Sequence, residues 1–457
     1  MEKKINTQLI HAFHNAMWEV ESLKEFYSRS EKSLIEYRLK VEGKYKPGKI
    51  VGDIFDSILR LKNIEEKNSK LAEVIDSEID ENILISDVFK IEPFSEEKQA
   101  ITYSIKEKYR KCENFFPDVS IRKYKNIQKF ENILIESTLS HTTVIYESFL
   151  EKIYEMLLWV DPLKYFEGQT IYLADVFTDD FQEKVSEKFE AEIESKMFDA
   201  LKTTEIICQK EEIDINRYGE IISEYSEISF RRNAYVHTNG RVNKKYLKGV
   251  SEKYSKGMKV DDKLLCDYAY IENAFQVLTK MIFSLTFELL RKNNADKEQI
   301  NSIANYFFEK LKEKEYSICK YVYYGLSQYK ALEFVDRTMY RVNYINAIKQ
   351  LGETKLVDKE LKGLDVSIAT DDYKIAKECL AGNNEIVYQM LCKTYPDSFG
   401  ATEIREWPIF INFRETEFYS KFVSDHVEDF DLQEIELPEN EKISVENSNN
   451  DEDNAII

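Results

Sequence analysis

Glycine and proline are scarce, with 13 and 7 in 457 residues, about 4% of the chain where about 12% is ordinary. Tight turns are built from those two residues, so a chain this poor in both cannot reverse direction as often as a sheet-rich or dinucleotide-binding α/β fold requires. An all-α protein is predicted. Hydrophobic residues reach 43%, with 29 Tyr and 27 Phe, enough to bury real cores and to exclude wholesale disorder. The length predicts two to three domains.

The net charge is −20, which disfavours whole-surface adhesion to nucleic acid or anionic membrane, so any nucleic-acid site must be a local basic patch. Met1–Asn6 leads into no apolar signal segment, and no window approaches the roughly 18 unbroken apolar residues of a membrane span. A soluble cytoplasmic protein without a membrane partner is expected. Cys112, Cys208, Cys266, Cys319, Cys379 and Cys392 form no Cys-x-x-Cys pair and no zinc-ligand spacing with the five histidines, and they read as reduced, mostly buried thiols.

Four regions emerge from the patterning. Residues 1–118 form a helical N-terminal module, with Leu9, Ala12, Phe13, Met17, Val20 and Leu23 at helical spacing to about Asn68 and a break at Pro47-Gly48. Ile83–Phe94 alternates loosely, as a short strand or an extended lid would. Residues 119–297 read as a four-helix bundle: one helix of about forty residues between Pro117 and Pro162, a second from the Thr178-Asp179-Asp180 cap to about Gln209, a third over Tyr218–His237, and a fourth from Asp261-Asp262 to Lys292. Small residues Ser137, Thr138, Ser140, Thr142 and Thr143 around His141 would let another helix approach, which places His141 on a packed face.

Residues 298–427 contain shorter helices punctuated by Gly325, Gly352 and Gly382. Val342–Thr354 and Tyr373–Glu385 both close an Ala-containing helix with Leu, Gly and polar residues, faintly like tetratricopeptide repeats. Trp407-Pro408 with Phe410, Phe413 and Phe418 suggests a capping helix pair. Residues 428–457 read as a disordered acidic tail.

No phosphate-binding glycine loop, hydrolase elbow or His-Glu-x-x-His occurs. His11 and His14, three apart without a third ligand, read as ordinary helix residues. The stretch that matters is Phe230-Arg231-Arg232-Asn233-Ala234-Tyr235-Val236-His237-Thr238-Asn239-Gly240. Its Asn239-Gly240 pair should stop the third helix just past His237.

Arg232, Asn233 and His237 match an arginine, a polar residue, three of any kind and a histidine. In this helical setting the stretch resembles the HEPN superfamily of all-helical ribonucleases, including many proteins of prokaryotic defence systems. The resemblance covers approximately Asn126–Lys292. It implies a metal-independent endoribonuclease without cofactor, cutting single-stranded RNA or a tRNA loop in antiphage, abortive-infection defence. Attack of the 2′-hydroxyl on the adjacent phosphorus would leave 2′,3′-cyclic phosphate and 5′-hydroxyl ends. Histidine titrates near neutrality and suits His237 as general acid or base. Arg232, always charged, can grip nonbridging oxygens. Asn233 would orient a phosphate or the imidazole, and Glu147 and Arg231 are supporting candidates.

Five residues along an ideal helix turn through ~500°, leaving Arg232 and His237 about 140° apart around the axis. Two copies resolve this, and the resemblance implies a homodimer that joins two motifs across a groove.

Independently, Arg231, Arg232, Arg241, Lys244, Lys245, Lys248, Lys253, Lys256 and Lys259 face only Glu252 between residues 231 and 259, a local exception in an acidic chain. Arg241, Lys244, Lys245, Tyr246, Lys248 and Lys253 are the expected RNA contacts, with Tyr235, Tyr246 and Tyr254 placed to stack on unpaired bases. A solvated basic loop is the plainer reading of the same charges. The competing function is a non-catalytic helical scaffold or RNA-binding adaptor. A metal-dependent nuclease is a third class, for which no ligand cluster speaks. The C-terminal helical region is expected to receive a regulatory or trigger protein.

Overall fold

Among the described residues the protein is all-α apart from one hairpin. The computed structural model describes residues 2–44, 89–95, 100–105, 119–166, 180–197, 199–367 and 369–431. Among them no helix is long and apolar enough to cross a membrane. The chain divides into two compact units, residues His11–Leu289 and residues Met1–Ile10 with Leu290–Ile457. This division differs from the four sequence regions, because the first ten residues group with the C-terminal part and the rest of the N-terminal helix groups with the bundle.

In the His11–Leu289 unit, α1 (Glu2–Lys44) supplies buried Phe13, Met17, Val20 and Tyr27. Full burial of each such side chain is worth roughly 1.5–3 kcal/mol. Tyr27 stacks 6.2 Å from Tyr268 and meets Phe275 edge-on at 6.4 Å, both on α9 (Tyr268–Lys292). This is why His11–Lys44 belongs to the bundle. Strands β1 (Phe89–Ser95) and β2 (Ala100–Ile105) pair antiparallel, Phe89 opposite Ile105. They overlap the end of the loosely alternating Ile83–Phe94 stretch.

The long helix α2 spans Val119–Val160 and stops where a following proline disfavours helix. Asp161 then accepts a hydrogen bond from the Lys164 amide (3.2 Å) to cap the one-turn helix α3 (Pro162–Tyr165). The expected second helix is two helices, α4 (Phe181–Lys196) and α5 (Ala200–Lys210). Asp199, extended at φ −148°, accepts from the Leu201 and Lys202 amides at 3.1 and 3.2 Å and starts a new helix. Thr203 ties the break together by donating to the Lys196 carbonyl at 2.5 Å. Helix α5 packs on α2, where Tyr146 and Thr204 share a hydroxyl hydrogen bond of 2.9 Å.

Thr138, Thr142 and Thr143 are buried, each hydroxyl donating to a carbonyl of its own helix at 2.8 Å. His141 is exposed instead, its Nδ1 donating to the Ser137 carbonyl at 2.9 Å. The expected packed face is there, but His141 lies on the other side of the helix. Helix α6 (Gly219–Thr238) lies against α2 and precedes the short helices α7 (Lys244–Gly249) and α8 (Glu252–Ser255). Its Tyr225 meets Tyr146 edge-on at 4.8 Å.

In the second unit Ile5 and Leu9 are buried, and Asn6 donates to the Asn293 carbonyl (3.2 Å) and Gln299 Oε1 (3.0 Å). Helices α10 (Lys297–Lys312), α11 (Tyr316–Ser327), α12 (Phe334–Gln350), α13 (Thr354–Lys362), α14 (Asp371–Ala381) and α15 (Asn384–Thr394) pack as successive neighbours, and α13 and α14 also both lean on α12. Gly352 (φ +76°) and Gly382 (φ +81°) stop α12 and α14 in the left-handed region. Gly325 lies inside α11 and punctuates nothing.

Beyond α16 (Ala401–Glu406), Pro408 begins a 3₁₀ turn that buries Phe410. Helix α17 (Ile411–Arg414) buries Phe413, and α18 (Glu417–Asp425) and α19 (Val427–Asp431) complete the unit. Helix α19 takes in the first residues of the expected acidic tail. The rest of that tail, Cys112 and the remainder of the N-terminal region lie outside the described residues.

Candidate functional site

Helix α6 carries the whole motif without interruption and ends as its sequence demands. Asn239 takes the left-handed conformation (φ 52°, ψ 45°), Gly240 comes next at φ +71°, and the Gly240 amide returns to the Ala234 carbonyl at 3.1 Å. Thr238 stitches the helix end to the next segment, donating its hydroxyl towards the Ala234 (2.9 Å) and Arg241 (2.6 Å) carbonyls. Because the helix is regular through Thr238, the ~500° advance from Arg232 to His237 stands. One chain does not bring the two side chains onto a common face.

Arg232 is half-buried, and its Nη1 donates to Asn233 Oδ1 at 3.0 Å. Its Nε is buried without a hydrogen-bond partner. Glu147 of α2 lies close enough to feel this guanidinium. Burial pushes the Glu147 carboxyl above its ordinary range, Arg232 draws it back and Asp199 pushes it further up. The hydroxyl of Tyr225 shares that environment and is driven well above its usual value by burial first, with Tyr146 and Glu147 adding to the effect. Glu147 thus feels Arg232 on one side and Asp199 on another. Asp199, from another helix boundary, was not visible in the sequence as a neighbour of Glu147, whereas Tyr225 lies two turns before Arg232 on the same helix, a spacing the sequence did offer.

His237 is exposed in the last turn of α6. Four residues later the chain enters a basic excursion closed at its neck. Arg241 and Lys263 bridge antiparallel, Val242 and the Asp261–Asp262 pair exchange backbone hydrogen bonds of 2.9 Å, and the Leu264 amide reaches the Gly240 carbonyl at 2.8 Å. Arg241, Lys244, Lys245, Lys248, Lys256 and Lys259 are exposed and have no ion-pair partner among the described residues. Lys253 is engaged, 3.8 Å from Glu224 and 4.7 Å over the Tyr254 ring.

Two candidates turn inward. Arg231 and Tyr246 are 8% and 1% exposed, so neither meets RNA from the surface. Both serve Glu227, itself 2% exposed. Glu227 Oε1 accepts from Arg231 Nε (2.7 Å) and the Tyr246 hydroxyl (2.6 Å), while Oε2 accepts from the Tyr270 hydroxyl (2.6 Å). The Arg231 guanidinium lies 4.2 Å over the Tyr270 ring and also donates to the Leu265 carbonyl. A buried carboxylate so supplied is a satisfied one. Tyr235 is buried too, donating to the Leu264 carbonyl at 2.9 Å. Of the three tyrosines expected to stack on bases, Tyr254 alone keeps partial exposure.

Glu227 and Tyr270 escaped the sequence reading. The signal for Glu227 was present, an acid four residues before Arg231 on one helix. His11 pairs with the Asn15 amide (3.1 Å), and burial lowers the His14 pKa, the behaviour of ordinary helix residues. No family model, curated protein or solved structure matches this chain.

Proposed function

We propose that the chain is a metal-independent endoribonuclease acting as a homodimer on single-stranded RNA or a tRNA loop in the cytoplasm. The observation that carries this reading is the continuity of chemistry along one backbone: Arg232, Asn233 and His237 occupy the last two turns of α6, and six exposed cations without ion-pair partners among the described residues come directly after them. A phosphate chain held on those cations is delivered to the helix end that presents His237.

In the proposed reaction the substrate's 2′-oxygen gives its proton to an imidazole and bonds to phosphorus. Arg232 neutralises the crowded phosphorane, and the bond to the 5′-oxygen breaks as that oxygen takes a proton. The ~140° between Arg232 and His237 makes the second copy's motif part of the proposed site. The resemblance adds an antiphage, abortive role in which a regulatory protein on the C-terminal helices restrains or releases cutting.

A binding-only scaffold is the second reading. The half-burial of Arg232, its bond to Asn233 and its acidic neighbour Glu147 favour it, because a guanidinium so placed can serve packing alone. Purified protein and His237→Ala, incubated with total RNA in EDTA and mapped by sequencing, separate the two. Discrete cuts with cyclic-phosphate ends, absent from the variant, are expected. Identical RNA profiles from both proteins would remove the nuclease reading.

A further inference from the structure

Helix α2 turns a second face away from the bundle. On the side remote from its buried Thr138 and Thr142, Phe130, Ile133 and Val144 are 44%, 49% and 50% exposed. With half-buried Ser137 and exposed His141, they fall within about 80° around the helix axis, where a solvated helix carries charges. Single apolar side chains on a surface are ordinary, but three on one helical face form a stripe that a partner can cover.

The order of residues along this face is self-complementary. A two-fold axis through Ser137, perpendicular to α2, runs a second copy antiparallel and sets residues equally distant from Ser137 opposite one another. Phe130 then meets Val144, and Ile133 meets His141, whose Nδ1 is tied to the Ser137 carbonyl at 2.9 Å. On the axis itself two serines face each other, and their small side chains permit the closest approach of the two helices.

The charges agree with this direction. The sequence has Lys123 seven residues before Phe130 and Glu151 seven residues after Val144, both within α2. The same axis places the lysine position of each copy opposite the glutamate position of the other. A parallel pairing on this face would set Lys123 against Lys123 and Glu151 against Glu151, which like charges disfavour.

We propose that this face of α2 docks on α2 of a second copy of the chain, antiparallel about Ser137. The contact is distinct from the pairing of motifs in the proposed reaction. Glu147, which feels Arg232, lies ten residues from the axis, so the two copies of Glu147 stand ~30 Å apart along the helix pair. The inference therefore does not rest on the nuclease reading, and a chain making both contacts assembles as a tetramer.

The test is sedimentation of the full chain across a micromolar concentration series. Val144 and Glu151 are exposed, so changing either disturbs no buried group. Val144→Lys should halve the mass of the assembly. Glu151→Lys should weaken assembly about tenfold, since two opposed charge pairs become two like pairs, and the swap Lys123→Glu with Glu151→Lys should restore it. Under mild oxidation Ser137→Cys should form a disulfide with its own copy, because two helices packed 8–10 Å apart bring facing Cα atoms to about 4–6 Å. Glu155→Cys, ~54 Å from its own copy in this arrangement, should cross-link no more than wild type. A monomeric wild-type chain overturns the proposal, as does a mass that Val144→Lys leaves unchanged, a charge swap that fails to restore assembly, or a Ser137→Cys chain that cross-links no more than wild type.

Discussion

Removing the Glu227 carboxylate tests what holds the basic excursion to the bundle. Glu227→Leu strips Arg231, 8% exposed, of its counter-ion and orphans the Tyr246 and Tyr270 hydroxyls, which donate to it at 2.6 Å each. Breaking one partner of a buried ion pair costs about 3–5 kcal/mol, chiefly because an uncompensated charge stays behind. Arg231→Met should cost a similar amount from the other side, leaving a carboxylate with two tyrosine donors. In the double variant no charge of this pair remains buried, so its loss should fall short of the sum of the singles by at least about 2 kcal/mol. Urea denaturation monitored by tyrosine fluorescence gives the three stabilities, and amide exchange over residues 241–263 reports whether the excursion opens first. Additivity within about 0.5 kcal/mol, or unchanged exchange of 241–263 in Glu227→Leu, would refute the reasoning.

Three further outcomes concern the site and its surroundings. An added Cβ at Gly249 would lie 2.0 Å from the Phe230 ring, so Gly249→Ala should lower stability by about 1–3 kcal/mol in thermal or urea melts. Converting Lys244, Lys245 and Lys248 to Glu should weaken RNA binding and flatten its dependence on salt, by about 0.7 in the log–log slope for each single-strand phosphate no longer neutralised; filter binding across a salt series measures it. Burial raises the folded Glu147 carboxyl above its ordinary 4.5, so the native state holds this proton after the unfolded chain has released it. Its contribution to stability therefore falls as pH rises from about 4.5 to the raised value. Glu147→Gln should flatten urea stability across that window, and an unchanged slope would show that another group sets it.

The long elements were legible because their limits are written in single residues. Pro117 and Pro162 bracket α2, and Asn239-Gly240 ends α6 where the backbone must turn left-handed. The break between α4 and α5 was missed because neither Gly nor Pro marks it; Asp199 makes it by capping, a signal shared with many acids inside helices. The candidate residues could be named from the sequence, but their arrangement could not. A count of charges cannot tell Lys244, which faces water, from Arg231, which faces Glu227, and the sequence places Tyr246 among cations although its hydroxyl points inward. Neither could spacing show that α1 joins the bundle, since that depends on Tyr27 meeting Tyr268 and Phe275 across more than two hundred residues.

The closed neck of the excursion has an evolutionary consequence. With Arg241 and Lys263 already paired, the chain between Tyr246 and Asp261 can lengthen at little cost, about 0.6 kcal/mol for each doubling of a loop. Insertions there would change the number of lysines offered to a polyanion without moving Arg232, Asn233 or His237. Under the proposed function, the grip on RNA and the chemistry at the helix end would be free to diversify separately, one by drift in loop length and charge, the other held by the packing of α6.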